Sequence, residues 1–176
     1  MSALIHYEHM ANHQPIINFV NAVIDEKSFN NIAKYIDRAK KDTKAKILVG
    51  GNYSKKDGYF VEPTVIEVSD PKYVTMCEEI FGPVASIIPF DTQEEVTAMA
   101  NDTIYGLCAS VWTSNVSRAH NMAKAIESGM VYVNCYDVGD MTFEFGGYKQ
   151  SGNAKDACFE SILGYTQSKS IWYNLG

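Results

Sequence analysis

The sequence lacks the features that mark membrane, secreted and nucleic-acid-binding proteins. It contains no run of about 18 apolar residues, so no membrane-spanning helix is predicted. The N-terminus shows no basic stretch followed by an apolar core, so we expect no secretory signal. Positive charge is scarce: 15 Lys and Arg stand against 21 Asp and Glu, a formal net charge of −6. Such a chain is a poor match for a phosphate backbone, and nucleic acid is not predicted as a partner.

Cysteine is also scarce, and its spacing excludes several site types. The four cysteines are Cys77, Cys108, Cys135 and Cys158. None forms a Cys-x-x-Cys pair, which argues against a zinc ribbon or a thioredoxin-like site. Four cysteines in 176 residues are too few for a disulfide framework, so a reducing compartment is expected. Cys108 is predicted to be a buried strand residue, and Cys135, at a strand end, is the best of a weak set of candidate nucleophiles.

Motifs that cradle phosphate or hold metal are not evident. No Gly-x-Gly-x-x-Gly follows a predicted strand and no P-loop motif is present, so no phosphate-binding loop is predicted. His6, His9 and His13 would share one face of a helix, but Glu8 is the only nearby acid. A polar terminus is favoured over a metal module there, and no metal ligand is assigned.

What is present is the pattern of one α/β domain. At 176 residues, 46% of them apolar, the chain can bury a substantial core. A helix is predicted over 28–41 behind Ser28 as N-cap, and a strand over 47–49. The extended stretch 59–68 contains Pro63, which favours an edge strand or irregular chain. The apolar face of the helix is predicted to comprise Phe29, Ile32, Ala33, Ile36 and Ala39.

After Pro83, strands and helices alternate, which is typical of βαβ units around a parallel sheet. The inward helix residues are predicted to be Val96, Met99, Ala100, Ala119, Met122, Ala123 and Ile126. A short helix around 157–163 and a strand over 170–175 close the chain. The predicted alternation comprises strand 84–90, helix 92–101, strand 107–113, helix 115–128 and strand 130–134.

Two segments carry candidate chemistry. In Glu78-Glu79-Ile80-Phe81-Gly82-Pro83, a carboxylate and an aromatic ring meet at a rigid turn, which suits a sugar hydroxyl and a flat heterocycle; the alternative is a charged helix end. The loop 135–142 combines two acids with an aromatic residue after a strand, which suits a polar or cationic substrate. The alternative there is a solvated loop.

Several segments together resemble the C-terminal third of the aldehyde dehydrogenase superfamily. The resemblance runs from residue 22 to the end. It implies a partial catalytic domain over 22–168 and an oligomerisation strand over 169–176, with 1–21 unassigned. The segments that carry it are Glu78 to Pro83, Ala100 to Leu107, Ala109 to Thr113, Gly129 to Asn134 and Phe145 to Gly152.

The subfamily signals differ along the chain. Residues 22–83 resemble glutamate-semialdehyde (pyrroline-carboxylate) dehydrogenases, and residues 84–176 resemble γ-glutamyl-aminobutyraldehyde dehydrogenases. Glu144 stands where the family usually has Pro, and Ala154 where it usually has Gly. The substrate class is therefore a semialdehyde or an aminoaldehyde, in proline or polyamine catabolism. Asp137 and Asp140 weakly favour an amine-bearing aldehyde.

The resemblance implies roles for individual residues. In the family a cysteine thiolate attacks the aldehyde, hydride passes to NAD or NADP, and water releases the acid. Glu79 would hydrogen-bond the nicotinamide ribose, and Phe81 would pack near the nicotinamide. The stretch from Cys135 to Phe145 would line the aldehyde entrance. Its candidate substrate-binding residues are Cys135, Tyr136, Asp137, Asp140 and Phe145.

The segment that holds the family's nucleophile, general base and dinucleotide-binding fold is not matched in this chain. No catalytic residue is therefore assigned, and we expect the isolated chain not to oxidise aldehydes. The alternative function is a truncated, non-catalytic subunit that assembles with full-length enzyme. The expected partners are a small aldehyde and either further copies of this chain or full-length subunits. The expected compartment is the cytoplasm or the mitochondrial matrix.

Overall fold

The computed structural model describes residues 20–176, which divide into two compact units. The first unit ends at Pro89 and the second begins at Phe90. This division falls within the stretch 22–168, which is predicted to be one partial catalytic domain. The histidines of the N-terminal segment, His6, His9 and His13, lie outside the described residues.

The first unit is organised around a helix, α1 (Glu26–Lys41). Its predicted apolar face is confirmed, because all five predicted residues are buried. The predicted N-cap is wrong: Asp25 caps the helix, and its side chain accepts a hydrogen bond from the Ser28 amide at 2.7 Å. An aspartate at this position satisfies an amide that otherwise lacks a partner, so the helix begins one turn earlier than predicted.

A three-stranded sheet packs against α1. It has the order β1 (Ala45–Val49), β4 (Thr64–Val68), β5 (Val84–Ile87), with β1 antiparallel and β5 parallel to β4. A short antiparallel hairpin, β2 (Tyr53–Ser54) with β3 (Phe60–Val61), lies between β1 and β4 in the chain. A one-turn helix, α2 (Val74–Cys77), precedes β5.

The prediction that the stretch 59–68 is an edge strand or irregular chain is wrong for 64–68, because β4 is the central strand of this sheet. Pro63 lies just before the first ladder residue, so its missing N–H removes no ladder hydrogen bond. Thr64 then donates its backbone N–H to the carbonyl of Pro83 at 2.9 Å.

The second unit contains the parallel βαβ arrangement that the sequence predicts. Strand β7 (Cys108–Val111), helix α4 (Val116–Ala125) and strand β8 (Met130–Val133) follow one another, and β7 pairs with β8 in parallel. Helix α3 (Gln93–Asn101) precedes them, capped by Thr92. A second short ladder joins β6 (Tyr105–Gly106) to β9 (Tyr148–Lys149), and helix α5 (Glu160–Leu163) lies near the end of the chain.

Burial in the second unit follows the prediction only in part, because the predicted inward residues Val96, Met99, Ala119, Ala123 and Ile126 are half-buried. Met122 is buried, whereas Ala100 is exposed, contrary to prediction. Cys108 is also exposed, so its prediction as a buried thiol is wrong. Two successive parallel crossovers are expected after Pro83. The second one, β7-α4-β8, is present. The first one is absent from the described chain, because β5 pairs in parallel with β4 instead.

The last eight residues, 169–176, form no helix or ladder within the described chain. They are exposed throughout, with Trp172 at 94% and Leu175 at 93%. Addition of this segment to a partner's sheet stays a prediction. None of the described helices is long and apolar enough to cross a membrane.

Candidate functional site

The segment with the most informative sequence, Glu78–Gly82, forms a turn between α2 and β5. The amide of Glu78 closes α2 by donating to the carbonyl of Val74 at 2.9 Å. On the other side, the amide of Val84 donates to the carbonyl of Gly82 at 2.7 Å, and β5 begins. Both ends of the turn are therefore tied to regular structure.

Within this turn, burial separates the side chains by role. Ile80 is 8% exposed and belongs to the core cluster that contains Phe29 and Ile32 of α1. Glu79 and Phe81, on either side of it, are exposed, and the Phe81 ring reaches 84%. Phe81 also adopts a left-handed backbone with φ of 57°, which costs a bulky residue about 1–2 kcal/mol. A large apolar ring that is exposed on a strained backbone marks a binding surface more readily than a packing site.

The two adjacent carboxylates of the turn have different surroundings. The Tyr35 hydroxyl of α1 donates a hydrogen bond to Oε2 of Glu78 at 2.6 Å. This hydrogen bond, followed by burial, raises the pKa of Tyr35 above its ordinary value of 10. Glu79 makes no hydrogen bond or ion pair within the described part of the chain. Glu78 is thus held by α1, while the Glu79 carboxylate is available to a ligand.

The predicted substrate residues lie together on a loop, 135–145, that follows β8. Two side-chain contacts fix its start. Asn134 has a left-handed φ of 54°, and its side-chain amide both accepts from the Thr113 amide at 2.8 Å and donates to the Thr113 carbonyl at 2.9 Å. The Ser110 hydroxyl donates to the carbonyl of Cys135 at 2.7 Å.

The far end of the loop is fixed by backbone hydrogen bonds. Phe145 and Asp156 exchange two of them in an antiparallel bridge, at 2.8 and 2.6 Å. The amide of Cys158 donates to the carbonyl of Met141 at 2.8 Å. The loop is thus anchored at both ends, with its middle exposed.

Acidic and aromatic side chains occupy this exposed middle. Tyr136 is 67% exposed, and its ring centroid lies 6.0 Å from that of Tyr132. Asp137 is exposed and left-handed, with φ of 55°. Asp140 accepts hydrogen bonds from the amide and hydroxyl of Thr142, both at 2.8 Å, and these lower the pKa of Asp140 below its usual value. The loop therefore presents negative charge beside an aromatic ring.

A further group of side chains meets next to this loop. One ligand atom from each of Glu144, Cys158 and Glu160 lies within 4.8 Å of the others. Sequence reasoning missed this group, because its members are up to 16 residues apart and share no motif. Three donors fall one short of a tetrahedral protein shell, so no metal site is assigned.

Among the described residues, the structure identifies no cysteine as part of a nucleophilic centre. Cys77 and Cys108 are exposed, Cys135 and Cys158 are partly buried, and all four are free thiols. The candidate turn lies in the first unit and the candidate loop lies in the second.

Comparison with known proteins identifies the family to which this chain belongs. A family model described as the aldehyde dehydrogenase family matches residues 9–171, which is most of the chain. The chain belongs to the aldehyde dehydrogenase family. Mitochondrial aldehyde dehydrogenase of Homo sapiens is 41% identical over 149 residues, covering 84% of this chain and 28% of the human protein.

Solved structures of this family share the fold. A crystal structure of an indole-3-acetaldehyde dehydrogenase in complex with NAD⁺ superposes with a TM-score of 0.81 at 44% identity, covering 89% of this chain and 32% of that one. The γ-glutamyl-γ-aminobutyraldehyde dehydrogenase of Burkholderia cenocepacia gives 0.75 at 44% identity, covering 80% and 29%. The chain thus spans about a third of the length of the aldehyde dehydrogenases it matches.

The family assignment and the α/β fold with parallel strands are therefore as predicted from the sequence. At the Glu78–Gly82 turn, sequence reasoning missed Tyr35. It lies 43 residues from Glu78, and nothing in the local pattern of α1 distinguishes it. Only the folded chain brings the two side chains together.

Proposed function

We propose that this chain is the part of an NAD(P)-dependent aldehyde dehydrogenase that supplies one wall of the nicotinamide site and the aldehyde entrance. The observation that carries the proposal is the Glu78–Gly82 turn, where Glu79 has a free carboxylate and Phe81 has an exposed ring on a left-handed backbone. A tightly anchored turn that exposes these two groups is built for recognition, because packing alone would bury the ring.

The residues of the turn match the chemistry of a nicotinamide dinucleotide. A carboxylate accepts hydrogen bonds from both hydroxyls of a ribose, and an aromatic ring packs against a flat heterocycle. Glu79 would hold the nicotinamide ribose, and Phe81 would limit where the nicotinamide ring lies. When bound, the dinucleotide supplies the hydride acceptor for aldehyde oxidation. The NAD⁺ complex of the structural relative supports this proposal.

The loop 135–145 would form the aldehyde entrance, through Cys135, Tyr136, Asp137, Asp140 and Phe145. Its two aspartates favour an aldehyde that carries an ammonium group over one that ends in a carboxylate. Within this proposal the substrate is an aminoaldehyde, and the loop orients its charged tail rather than its reacting carbon.

We assign no nucleophile to this chain, and we expect the purified chain not to oxidise aldehydes. None of its cysteines stands in the Gly-Gln-x-Cys setting that the family resemblance associates with the nucleophile. NAD-linked oxidation of an aminoaldehyde by the pure chain would contradict this part of the proposal.

The cofactor part is tested by saturation-transfer NMR, in which protein protons are irradiated and the nicotinamide protons of millimolar NAD or NADP are observed. The wild-type chain should transfer saturation to the nicotinamide ring, and Phe81→Ala should lose most of it. Tyr165→Ala is the matched control, because Tyr165 is 89% exposed and lies outside the site. Equal signals from wild type and Phe81→Ala would contradict the proposed role of the turn.

The alternative proposal, a non-catalytic subunit, is favoured by the exposed segment 169–176. Ile171, Trp172, Tyr173 and Leu175 are each at least 60% exposed, and the segment has no strand partner within the described chain. Apolar side chains next to unpaired backbone groups favour addition to a sheet edge. Under this proposal the segment would add to the sheet of another subunit.

A further inference from the structure

We propose that Tyr35 is a positioning residue for the nicotinamide site: acting through Glu78, it fixes the placement of Glu79 and Phe81. The inference rests on the proposed function of the Glu78–Gly82 turn. It adds a residue from α1 that would not touch the cofactor but would set the geometry of the residues that do.

The Tyr35 side chain links helix α1 to the turn. The Tyr35 hydroxyl donates to Oε2 of Glu78 at 2.6 Å, the short distance expected of a hydrogen bond to a carboxylate. Tyr35 is partly buried and packs against the core cluster that includes Ile32 and Ile36. The ring is therefore held by the core, and the hydroxyl at its tip holds the first residue of the turn.

The other end of the turn is also attached to α1. Ile80 packs into the same core cluster as Ile32. A Cβ added to Gly82 would lie 2.5 Å from Cδ1 of Ile32, so the Gly82 backbone rests directly on that side chain. Ile32 and Tyr35 are three residues apart on α1 and therefore neighbours on one face of the helix. One face of α1 thus holds the turn both before and after Glu79.

The Tyr35–Glu78 hydrogen bond should position the turn without being needed for folding. The apolar contacts of Ile80 and Gly82 hold the turn close to α1 without any help from Tyr35. The Tyr35–Glu78 bond lies near the surface, where a single hydrogen bond adds little to global stability. What it restricts is the residue immediately before Glu79. Its loss should leave the fold intact while Glu79 and Phe81 sample more than one placement.

The chain contains a matched control for this bond. The Tyr53 hydroxyl of the β2–β3 hairpin donates to Oδ1 of Asp37 at 2.8 Å. It is a second tyrosine–carboxylate bond to the same helix, in the same unit, but it does not involve the turn. Tyr35→Phe and Tyr53→Phe each remove one hydroxyl and keep the ring.

The experiment compares wild type, Tyr35→Phe and Tyr53→Phe by ¹⁵N-resolved NMR of the full chain without ligand. Tyr35→Phe should shift and broaden the amide signals of Glu79 and Phe81 and weaken the strong intraresidue HN–Hα NOE that marks the left-handed Phe81. Tyr53→Phe should leave these signals in place. Glu78→Gln keeps an acceptor oxygen and should stay close to wild type, whereas Glu78→Leu should reproduce Tyr35→Phe.

The proposal is overturned if Tyr35→Phe leaves the Glu79 and Phe81 signals unchanged, or if Tyr53→Phe disturbs them equally. Addition of millimolar NAD then tests the positioning role of Tyr35 and the proposed function of the turn separately. Saturation of the nicotinamide protons should fall several-fold in Tyr35→Phe and not in Tyr53→Phe. If the wild type gives the nicotinamide signal and Tyr35→Phe leaves it intact, the positioning role of Tyr35 is overturned but the proposed function of the turn is not. If the wild type gives no NAD signal, the proposed function fails, and the ligand-free comparison still decides the role of Tyr35.

Discussion

Gly129 lies directly against the backbone carbonyl of Gly146, so close that a side-chain carbon at position 129 has no space. An added Cβ would fall 2.8 Å from the Gly146 carbonyl carbon and closer still to its oxygen. The amide of Gly129 also donates to the carbonyl of Gly106 at 3.0 Å. The glycine before β8 is thereby packed against the glycine pair that follows the candidate entrance loop.

Gly129→Ala should therefore destabilise the second unit. The methyl group meets backbone rather than a movable side chain, and such overpacking costs about 1–3 kcal/mol. Urea denaturation followed by circular dichroism measures the free energy of unfolding. Gly139→Ala is the control, because a Cβ there meets nothing within 4 Å, and it should change stability by less than about 0.5 kcal/mol. Equal effects of the two substitutions would contradict this packing.

Thr64→Val should destabilise the first unit. The Thr64 side chain is 2% exposed; its hydroxyl accepts from the Gly51 amide at 2.9 Å and donates to the Glu62 carbonyl at 2.8 Å. Valine keeps the shape but leaves a buried amide without this partner, a loss of about 1–3 kcal/mol. Thr166→Val removes an exposed hydroxyl and should have little effect in the same denaturation experiment. An unchanged midpoint for Thr64→Val would show that another group satisfies the Gly51 amide.

The stability of the first unit should fall at alkaline pH. Hydrogen bonds to Glu78 and Asp37, respectively, raise the pKa values of Tyr35 and Tyr53 above 10. A raised folded-state pKa gives stability that is complete below pH 10 and lost as the pH rises through the folded value. Burial raises the pKa values of Tyr73 and Tyr132 as well, so absorbance titration near 295 nm should show four late-ionising tyrosines among the described residues, one of which disappears in Tyr35→Phe. Tyrosines that all ionise near pH 10 would contradict both hydrogen bonds.

Phe81→Gly should be at least as stable as Phe81→Ala, although glycine ordinarily weakens a folded chain. The left-handed φ of 57° penalises alanine by about 1 kcal/mol or more but not glycine. Thermal unfolding of the two variants provides the comparison, and both lack the ring that the nicotinamide would contact. A clearly less stable Phe81→Gly variant would show that the backbone there is not left-handed in solution.

The exposed segment 169–176 should drive assembly. Light scattering of the purified chain, alone and mixed with a full-length aldehyde dehydrogenase from the same source, should show a mass above that of the monomer or a mixed species. Trp172→Asp should reduce it, because Trp172 is 94% exposed and apolar. Ser170→Asp adds the same charge to the same segment and should have less effect. A chain that stays monomeric in every mixture would contradict assembly through this segment.

Local pattern was sufficient for much of the fold. The apolar periodicity of α1 identified all five of its buried residues, because an amphipathic helix must place them on one face. The same pattern could not locate the first turn of α1, because the residues that follow Asp25 are charged. The N-cap there is determined by one side-chain hydrogen bond. It also misplaced β4, since the position of Pro63 relative to the first ladder bond depends on the partner strands.

The candidate site was predictable only in part. The resemblance carried by Glu78 to Pro83 pointed to Glu79 and Phe81, and the structure shows both exposed on an anchored turn. Tyr35, which binds the Glu78 side chain at the start of the turn, had no signal in the sequence because its partner lies 43 residues away. Cys108 shows the converse error: its place in an apolar strand predicted burial, but the neighbouring elements leave it exposed.

The central claim is that the Glu78–Gly82 turn faces the nicotinamide end of the cofactor. The most direct test is a titration of the ¹⁵N-labelled chain with NAD, in which every assigned amide reports its own environment. The account predicts that the largest shifts fall on Glu79 and Phe81 and that Phe81→Ala abolishes them. Shifts confined to other residues, or a pattern that Phe81→Ala leaves unchanged, would contradict it.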